Sequence, residues 1–236
     1  MMRGLLTAAL LATTPMACTP AAAAAPNGPG DPCGSVYMIV ARGTNEPPGE
    51  GHTASLVARI KRASKQPITD VPVDYPATAK GGLSGYVDST GKGDAAVEHM
   101  LADAVARCPA QKIVMLGYSQ GAQIIGDAIA AGGGGKLGPQ TPPVPSAVSN
   151  HVAAVVQMGD PRHMAGQPFD VGTATHDGRF PRAADQRLAP FAGKVRSYCD
   201  TGDPFCDSGR EMRVHFTYLM KYSDNATRFV VDAIGG

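Results

Sequence analysis

Lys112-Ile113-Val114-Met115-Leu116-Gly117-Tyr118-Ser119-Gln120-Gly121-Ala122-Gln123-Ile124-Ile125-Gly126-Asp127-Ala128-Ile129-Ala130 decides the fold. Lys112–Leu116 is a short apolar run of strand length, and Ala122–Ala130 carries apolar residues over helical length. Between them lies Gly117-Tyr118-Ser119-Gln120-Gly121, the Gly-x-Ser-x-Gly pattern of a strand-to-helix nucleophile elbow. The glycines matter because the serine must sit in a turn too tight for neighbouring side chains. That turn lifts the hydroxyl clear of the backbone, and the helix N-terminus offers amide hydrogens to developing negative charge. The pentapeptide alone also reads as a glycine-rich turn whose serine caps a helix. The strand–turn–helix context favours the elbow.

Working outward, strands and helices alternate. Ser35–Val40 reads as a buried strand ending at Ala41-Arg42-Gly43-Thr44, followed by a loop through Pro47-Pro48-Gly49. Leu56, Val57 and Ile60 recur near helical spacing between His52 and Lys65. Ile68–Tyr75 alternates as a second strand, with Pro72 marking it as edge or irregular. A glycine-bearing loop over 79–93 precedes a helix whose apolar side holds Ala96, Val97, Met100, Leu101 and Val105. Residues 131–147, dense in Gly and Pro, read as a surface loop. Ala153–Met158 and Lys194–Tyr198 are further strands, separated by a long irregular excursion over 159–193 of the kind that often carries function. Phe216–Ala233 has a helical pattern. This alternation predicts a mostly parallel sheet covered on both faces, with ligands bound along the rim at the strand ends.

Bulk properties set the compartment and remove several function classes. Arg3, the apolar residues 4–17 and the alanine-rich 18–25 read as a secretory signal peptide at 1–17, with cleavage as late as 25 also open. Pro15-Met16-Ala17 is a poor approach to a lipidated Cys18, and no later stretch is long and apolar enough to cross a bilayer. A single domain is expected over 31–236. The 21 basic and 20 acidic residues of the 236-residue chain form no block of one sign, which argues against nucleic acid as a partner. Four cysteines remain after signal removal: Cys33, Cys108, Cys199 and Cys206. In an exported chain they permit two disulfides. The short Cys199–Cys206 separation favours a local clip, leaving Cys33 with Cys108. Their spacing lacks the close paired ligands of a structural zinc site, and no metal or organic cofactor is expected.

An elbow serine needs a base, and the chain order of such enzymes is serine, acid, histidine. Of the histidines after Ser119, His215 follows the last strand and precedes the final helix, so it reaches the rim. His151 precedes a strand and belongs at the opposite end, while His163 and His176 lie in the long excursion. For the acid, Asp203 sits inside Cys199-Asp200-Thr201-Gly202-Asp203-Pro204-Phe205-Cys206, a loop that a disulfide would make rigid. Asp200 is a rival in the same loop. Asp160, directly after a strand, occupies a rim position as well, and residue logic leaves it open against Asp203.

From about Cys33 to its end, the chain resembles the cutinase family of cutinases and related acetylxylan esterases. The matching pieces are Asp31-Pro32-Cys33, Ala41-Arg42-Gly43-Thr44, Asp74-Tyr75-Pro76-Ala77, Gly117–Gly121, Gly159-Asp160-Pro161-Arg162 and the Cys199–Cys206 segment, followed by His215. The resemblance implies a compact, lidless three-layer α/β/α hydrolase fold with a central five-stranded sheet. It implies disulfides Cys33–Cys108 and Cys199–Cys206, and a triad of Ser119, Asp203 and His215. The oxyanion hole would use the amides of Thr44 and Gln120, with the Thr44 hydroxyl available as a third donor. The activity implied is a secreted, monomeric serine esterase acting on carboxylic esters, polymeric ones such as cutin or acetylated xylan included.

Within that family the two substrate classes pull apart. The polar Asp207–Arg213 segment contrasts with a hydrophobic rim. Phe169–Thr173 and the Asp203-to-His215 spacing look more like acetylxylan esterases. The chain has no tryptophan to stack on sugars, leaving Tyr75, Tyr118 and Phe205 as aromatic candidates for rim or core. The reading of a different class is a secreted binding protein that keeps the fold without turnover.

Overall fold

A computed structural model describes Met1 and residues 33–236. The signal segment, Cys18 and the expected domain start at residue 31 lie outside the described residues. In chain order the regular elements are β1 (Val36–Ala41), α1 (Ala54–Ala63), β2 (Ile68–Pro72), α2 (Leu83–Arg107), β3 (Lys112–Tyr118), α3 (Gln120–Ala130), α4 (Ser146–Ser149), β4 (Val152–Met158), β5 (Asp170–Val171), β6 (Val195–Tyr198), α5 (Met212–His215) and α6 (Tyr218–Ile234). The strands form one sheet in the order β2-β1-β3-β4-β6-β5, and every pairing is parallel.

Alternation along the strands sends side chains to two cores. Val36, Met38 and Val40 of β1 join Leu56 and Ile60 of α1 and Val230 and Ile234 of α6 on one face. Ile39 and Ala41 join Leu101 of α2 and Ile124 and Ile125 of α3 on the other. The sheet is thus the middle of three layers. In α1 the buried residues Leu56, Val57 and Ile60 lie on one side, with Arg59, Lys61 and Arg62 facing water. Burying each large aliphatic chain contributes about 1.5–3 kcal/mol. The helix stops at Ser64, whose backbone is extended, and Gly235 in the left-handed region closes α6.

Two expectations need correction. Among the described residues the sheet has six strands, because Asp170–Val171 of the long excursion pairs with Ser197 and Tyr198 and covers the outer edge of β6. The expected loop over 79–93 ends at residue 82, and α2 begins at Leu83. Within it Gly93 serves close packing: a Cβ there would lie 2.8 Å from both Ile124 and the Tyr75 ring. Packing against α3 outweighs the helix propensity that glycine costs, about 1 kcal/mol per residue. Pro72 sits at the end of the edge strand β2, where its missing N–H breaks no ladder.

The two disulfides are Cys33–Cys108 and Cys199–Cys206. The first ties the entry to β1 to the end of α2 across 75 residues, a closure that disfavours the unfolded chain by about 4 kcal/mol. Between β1 and β3 the chain reverses its direction of travel across the sheet. A crevice at the carboxyl ends of the strands opens at such a switch point, and the loops after β1 and β3 meet there.

Candidate active site

Ser119 stands between the end of β3 and the first residue of α3, with φ 54° and ψ −119°. A non-glycine residue in that region is strained, and such strain collects at functional sites. The turn can form because its neighbours are glycines: a Cβ on Gly121 would come within 2.0 Å of the Ala41 carbonyl oxygen. The Ser119 amide donates to Met158 O at 2.8 Å, which fixes the elbow to β4. Gln120, as the first residue of α3, has an amide with no earlier helical turn behind it.

Ser119 opens onto a cleft of about 490 Å³ that also holds His215 and Thr44. His215 ends α5 and is buried, with Nδ1 2.8 Å from Asp203 Oδ2. Tyr118 donates its hydroxyl to the His215 carbonyl at 3.0 Å, and the Phe205 ring lies 4.6 Å from the imidazole. Gly159 leaves room for that imidazole, since a Cβ there would stand 2.7 Å from His215 Cε1.

The Asp203 carboxylate is wholly buried inside the loop closed by Cys199–Cys206. Besides His215 it accepts from the Tyr218 hydroxyl at 2.6 Å and the amides of Phe205 at 2.7 Å and Cys206 at 3.1 Å. Burial alone would raise its pKa. The bond from His215, with the Tyr218 and Phe205 donors, outweighs burial and holds it below the ordinary value. An ionised carboxylate only accepts, so the proton between the two residues belongs to His215 Nδ1. The tautomer left has Nε2 free to take a proton.

The rival residues go elsewhere. Asp160 is buried after β4, where it accepts from Gln157 at 2.9 Å and the Arg162 amide at 2.9 Å, and lies 3.5 Å from Arg182. Asp200 accepts from Lys221 at 2.5 Å and Tyr222 at 2.8 Å. His163 is buried against Ser197, and His176 is exposed beside Asp207. None of these lines the cleft that holds Ser119, and neither does His151.

Sequence reasoning missed several cleft residues. His52 lines it with Glu46, although its place before Ser119 in the chain removed it from the search for a base. Met212 and Phe216 also line the cleft and are 47% and 60% exposed, as does Leu83 at 46%. The rim is therefore more apolar than the charged residues around Met212 suggest. Of the three aromatic candidates, Tyr118 and Phe205 line the cleft and Tyr75 is core. Among the described residues, no group of three or more His, Cys, Asp or Glu side chains is placed to hold a metal ion. No helix among them is long and apolar enough to cross a membrane.

The model that describes the family named Cutinase matches residues 32–234. An acetylxylan esterase of Hypocrea jecorina is 34% identical over 204 residues, 84% of this chain and 67% of that protein. Cutinase 11 of Verticillium dahliae is 36% identical over 204 residues, again 84% of this chain and 68% of the relative. A solved acetylxylan esterase structure superposes with a TM-score of 0.79 at 34% identity, covering 86% of this chain and all of that one.

Proposed function

The chain belongs to the cutinase family and is a carboxylic ester hydrolase, and on that premise we propose that Ser119, His215 and Asp203 are its catalytic triad. The observation that carries the assignment is one cleft holding a serine on a strained elbow and a histidine whose Nδ1 is bound by a buried carboxylate. His215 Nε2 takes the Ser119 proton as the hydroxyl attacks the ester carbonyl. The amides of Thr44 and Gln120 hold the oxyanion, the second at the positive end of α3. The protonated imidazole, stabilised by Asp203, then gives its proton to the departing alcohol. In the second half His215 draws a proton from water, which attacks the acyl-enzyme, and the imidazolium returns that proton to Ser119 as the acid departs.

The substrate we infer is an ester with a short or medium acyl chain. Leu83, Met212 and Phe216 at the mouth, and Tyr86, Phe180 and Phe205 within, offer apolar surface to such a chain. Deacetylation of xylan is the second reading, favoured by the likeness to acetylxylan esterases in sequence and structure. The two disulfides support an oxidising compartment, so the enzyme acts as a secreted protein.

Purified Ser119→Ala should lose turnover of para-nitrophenyl acetate by several orders of magnitude at unchanged folding. Retained hydrolysis would sink the assignment. A panel of para-nitrophenyl acetate, butyrate and palmitate, acetylated xylan, cutin and a polyester film separates the substrates. Preference for butyrate and the polyester supports the apolar-cleft reading, and preference for acetylated xylan replaces it.

A further inference from the structure

The cleft contains a second imidazole–carboxylate pair, His52 with Glu46. The Glu46 side chain is 7% exposed although it belongs to a surface loop. Its Oε2 accepts the Gly43 amide at 2.6 Å, and its Oε1 accepts the His52 amide at 3.1 Å together with the His52 ring through Nδ1. Gly51 makes the seat, since a Cβ there would stand 2.1 Å from Glu46 Oε2. The backbone of Glu46 is engaged as well. Its N–H donates to Gly43 O at 3.3 Å, and its carbonyl accepts from Arg42 Nε at 3.0 Å. Arg42 is itself anchored to Val73 O and Tyr75 O just beyond β2.

These bonds fix successive peptide planes around Thr44. The Arg42–Gly43 plane is held by its N–H on the Glu46 carboxylate. The Gly43–Thr44 plane is held by its carbonyl, on the Glu46 amide. The Thr44–Asn45 plane is held by its N–H on Ala77 O at 2.6 Å. None of these bonds is cis, so the carbonyl and N–H of each planar unit point in opposite directions. Fixing the Gly43 carbonyl on Glu46 therefore aims the Thr44 N–H the other way. With its neighbours on both sides also tied, that plane cannot flip alone.

We propose that Glu46, buttressed by His52, is the positioning residue that presents the Thr44 amide for the oxyanion. The inference rests on the assignment of Thr44 and Ser119 above. It adds that the donor is preformed by Glu46, whose backbone N–H fixes the Gly43–Thr44 plane and whose carboxylate, on the Gly43 and His52 amides, fixes the loop that carries that N–H. Such preorganisation acts where charge develops, so its loss falls on kcat rather than on substrate binding.

Glu46→Gln keeps size and one acceptor but cannot accept with both ends. With para-nitrophenyl butyrate, kcat is expected to fall about 10-fold or more while KM stays within about threefold, because one missing oxyanion donor costs about 100- to 1,000-fold. Affinity for an alkyl boronic acid, which forms a tetrahedral adduct on the serine, should fall in step with kcat. A merely structural role would lower the active fraction and leave boronate affinity per active site unchanged. His52→Ala, which removes only the buttress, should show a smaller kcat loss in the same sense, and it carries the test if Glu46→Gln does not fold. Wild-type kcat in the folded variants, or a loss confined to KM, overturns the positioning role while an inactive Ser119→Ala leaves the triad standing. An active Ser119→Ala removes both.

Discussion

Two buried aspartates follow two strands of the same sheet and do opposite things. Asp203 comes after β6 and Asp160 after β4, and neither is more than 2% exposed. Burial pushes on both carboxyls in the same direction. At Asp203 an imidazole, a phenol and two backbone amides outweigh it and hold the pKa below the ordinary value. At Asp160 burial wins and the pKa is raised, even with Arg182 and the Arg162 amide opposing it. The Asp160 environment is a closed ion network, in which Arg162 and Arg182 both reach Asp127 at 3.0 and 2.7 Å. Every partner there is another protein charge or amide, and none lines the serine cleft. Depth in the protein therefore does not mark out the acid of the proposed triad. The identity of the donor facing the carboxylate does.

The same edit at the two positions tests this most sharply. Asp203→Asn keeps shape but places an amide against His215 Nδ1, favouring the tautomer with its proton on Nε2, where the base must be free. The expected loss is about 1,000- to 10,000-fold in kcat for para-nitrophenyl butyrate, with the fold intact. Activity within tenfold of wild type would remove Asp203 from the triad.

Asp160→Asn should do the reverse. It turns an amide toward Arg182 and Gln157 and leaves a buried cation short of its partner, a loss of about 3 kcal/mol in stability. The folded variant should keep kcat within a few-fold. Urea unfolding beside steady-state rates reads both quantities, and a variant of wild-type stability with collapsed kcat would invert the comparison.

The sequence leaves this pair undecided for a physical reason. An elbow is a local object: Ser119 needs only its flanking glycines, an apolar strand before it and a helix after it, all within Lys112–Ala130. The periodicity of β1, α1, β4 and α6 is equally local. What separates Asp203 from Asp160 is long-range, since Tyr218 comes from α6 and Arg182 from the excursion before β6. Neither partner has a pattern of its own, and there the family resemblance supplied the choice. The start of α2 was hidden because Gly85, Gly91 and Gly93 weaken its helical signal, and Gly93 owes its place to Ile124 and Tyr75 across the interface. Glu46 was hidden for a third reason, because its carboxylate works on the path of the backbone around Thr44.

The smallest expected effect isolates one of the donors that set the two aspartates apart. Tyr218→Phe removes the hydroxyl 2.6 Å from Asp203 Oδ2 but leaves His215 and both amides in place. A hydrogen bond to a charged group contributes about 1.5–3 kcal/mol, and the imidazole bond survives, so kcat should fall only several-fold. The pH dependence carries the sharper signature. The folded pKa of Asp203 lies below its unfolded value, so its contribution to stability is complete above the unfolded value, about 3.9. That contribution is lost as pH falls through the folded pKa. Removing the Tyr218 donor raises the folded pKa toward the unfolded one and leaves less to lose. The melting temperature of Tyr218→Phe should therefore trail wild type most at pH 7, and the gap should narrow as pH falls below 4. A gap constant from pH 7 to pH 3 would mean that the hydroxyl serves packing and its contact with Cys206 Sγ at 3.1 Å, and that His215 and the two amides alone hold Asp203 ionised.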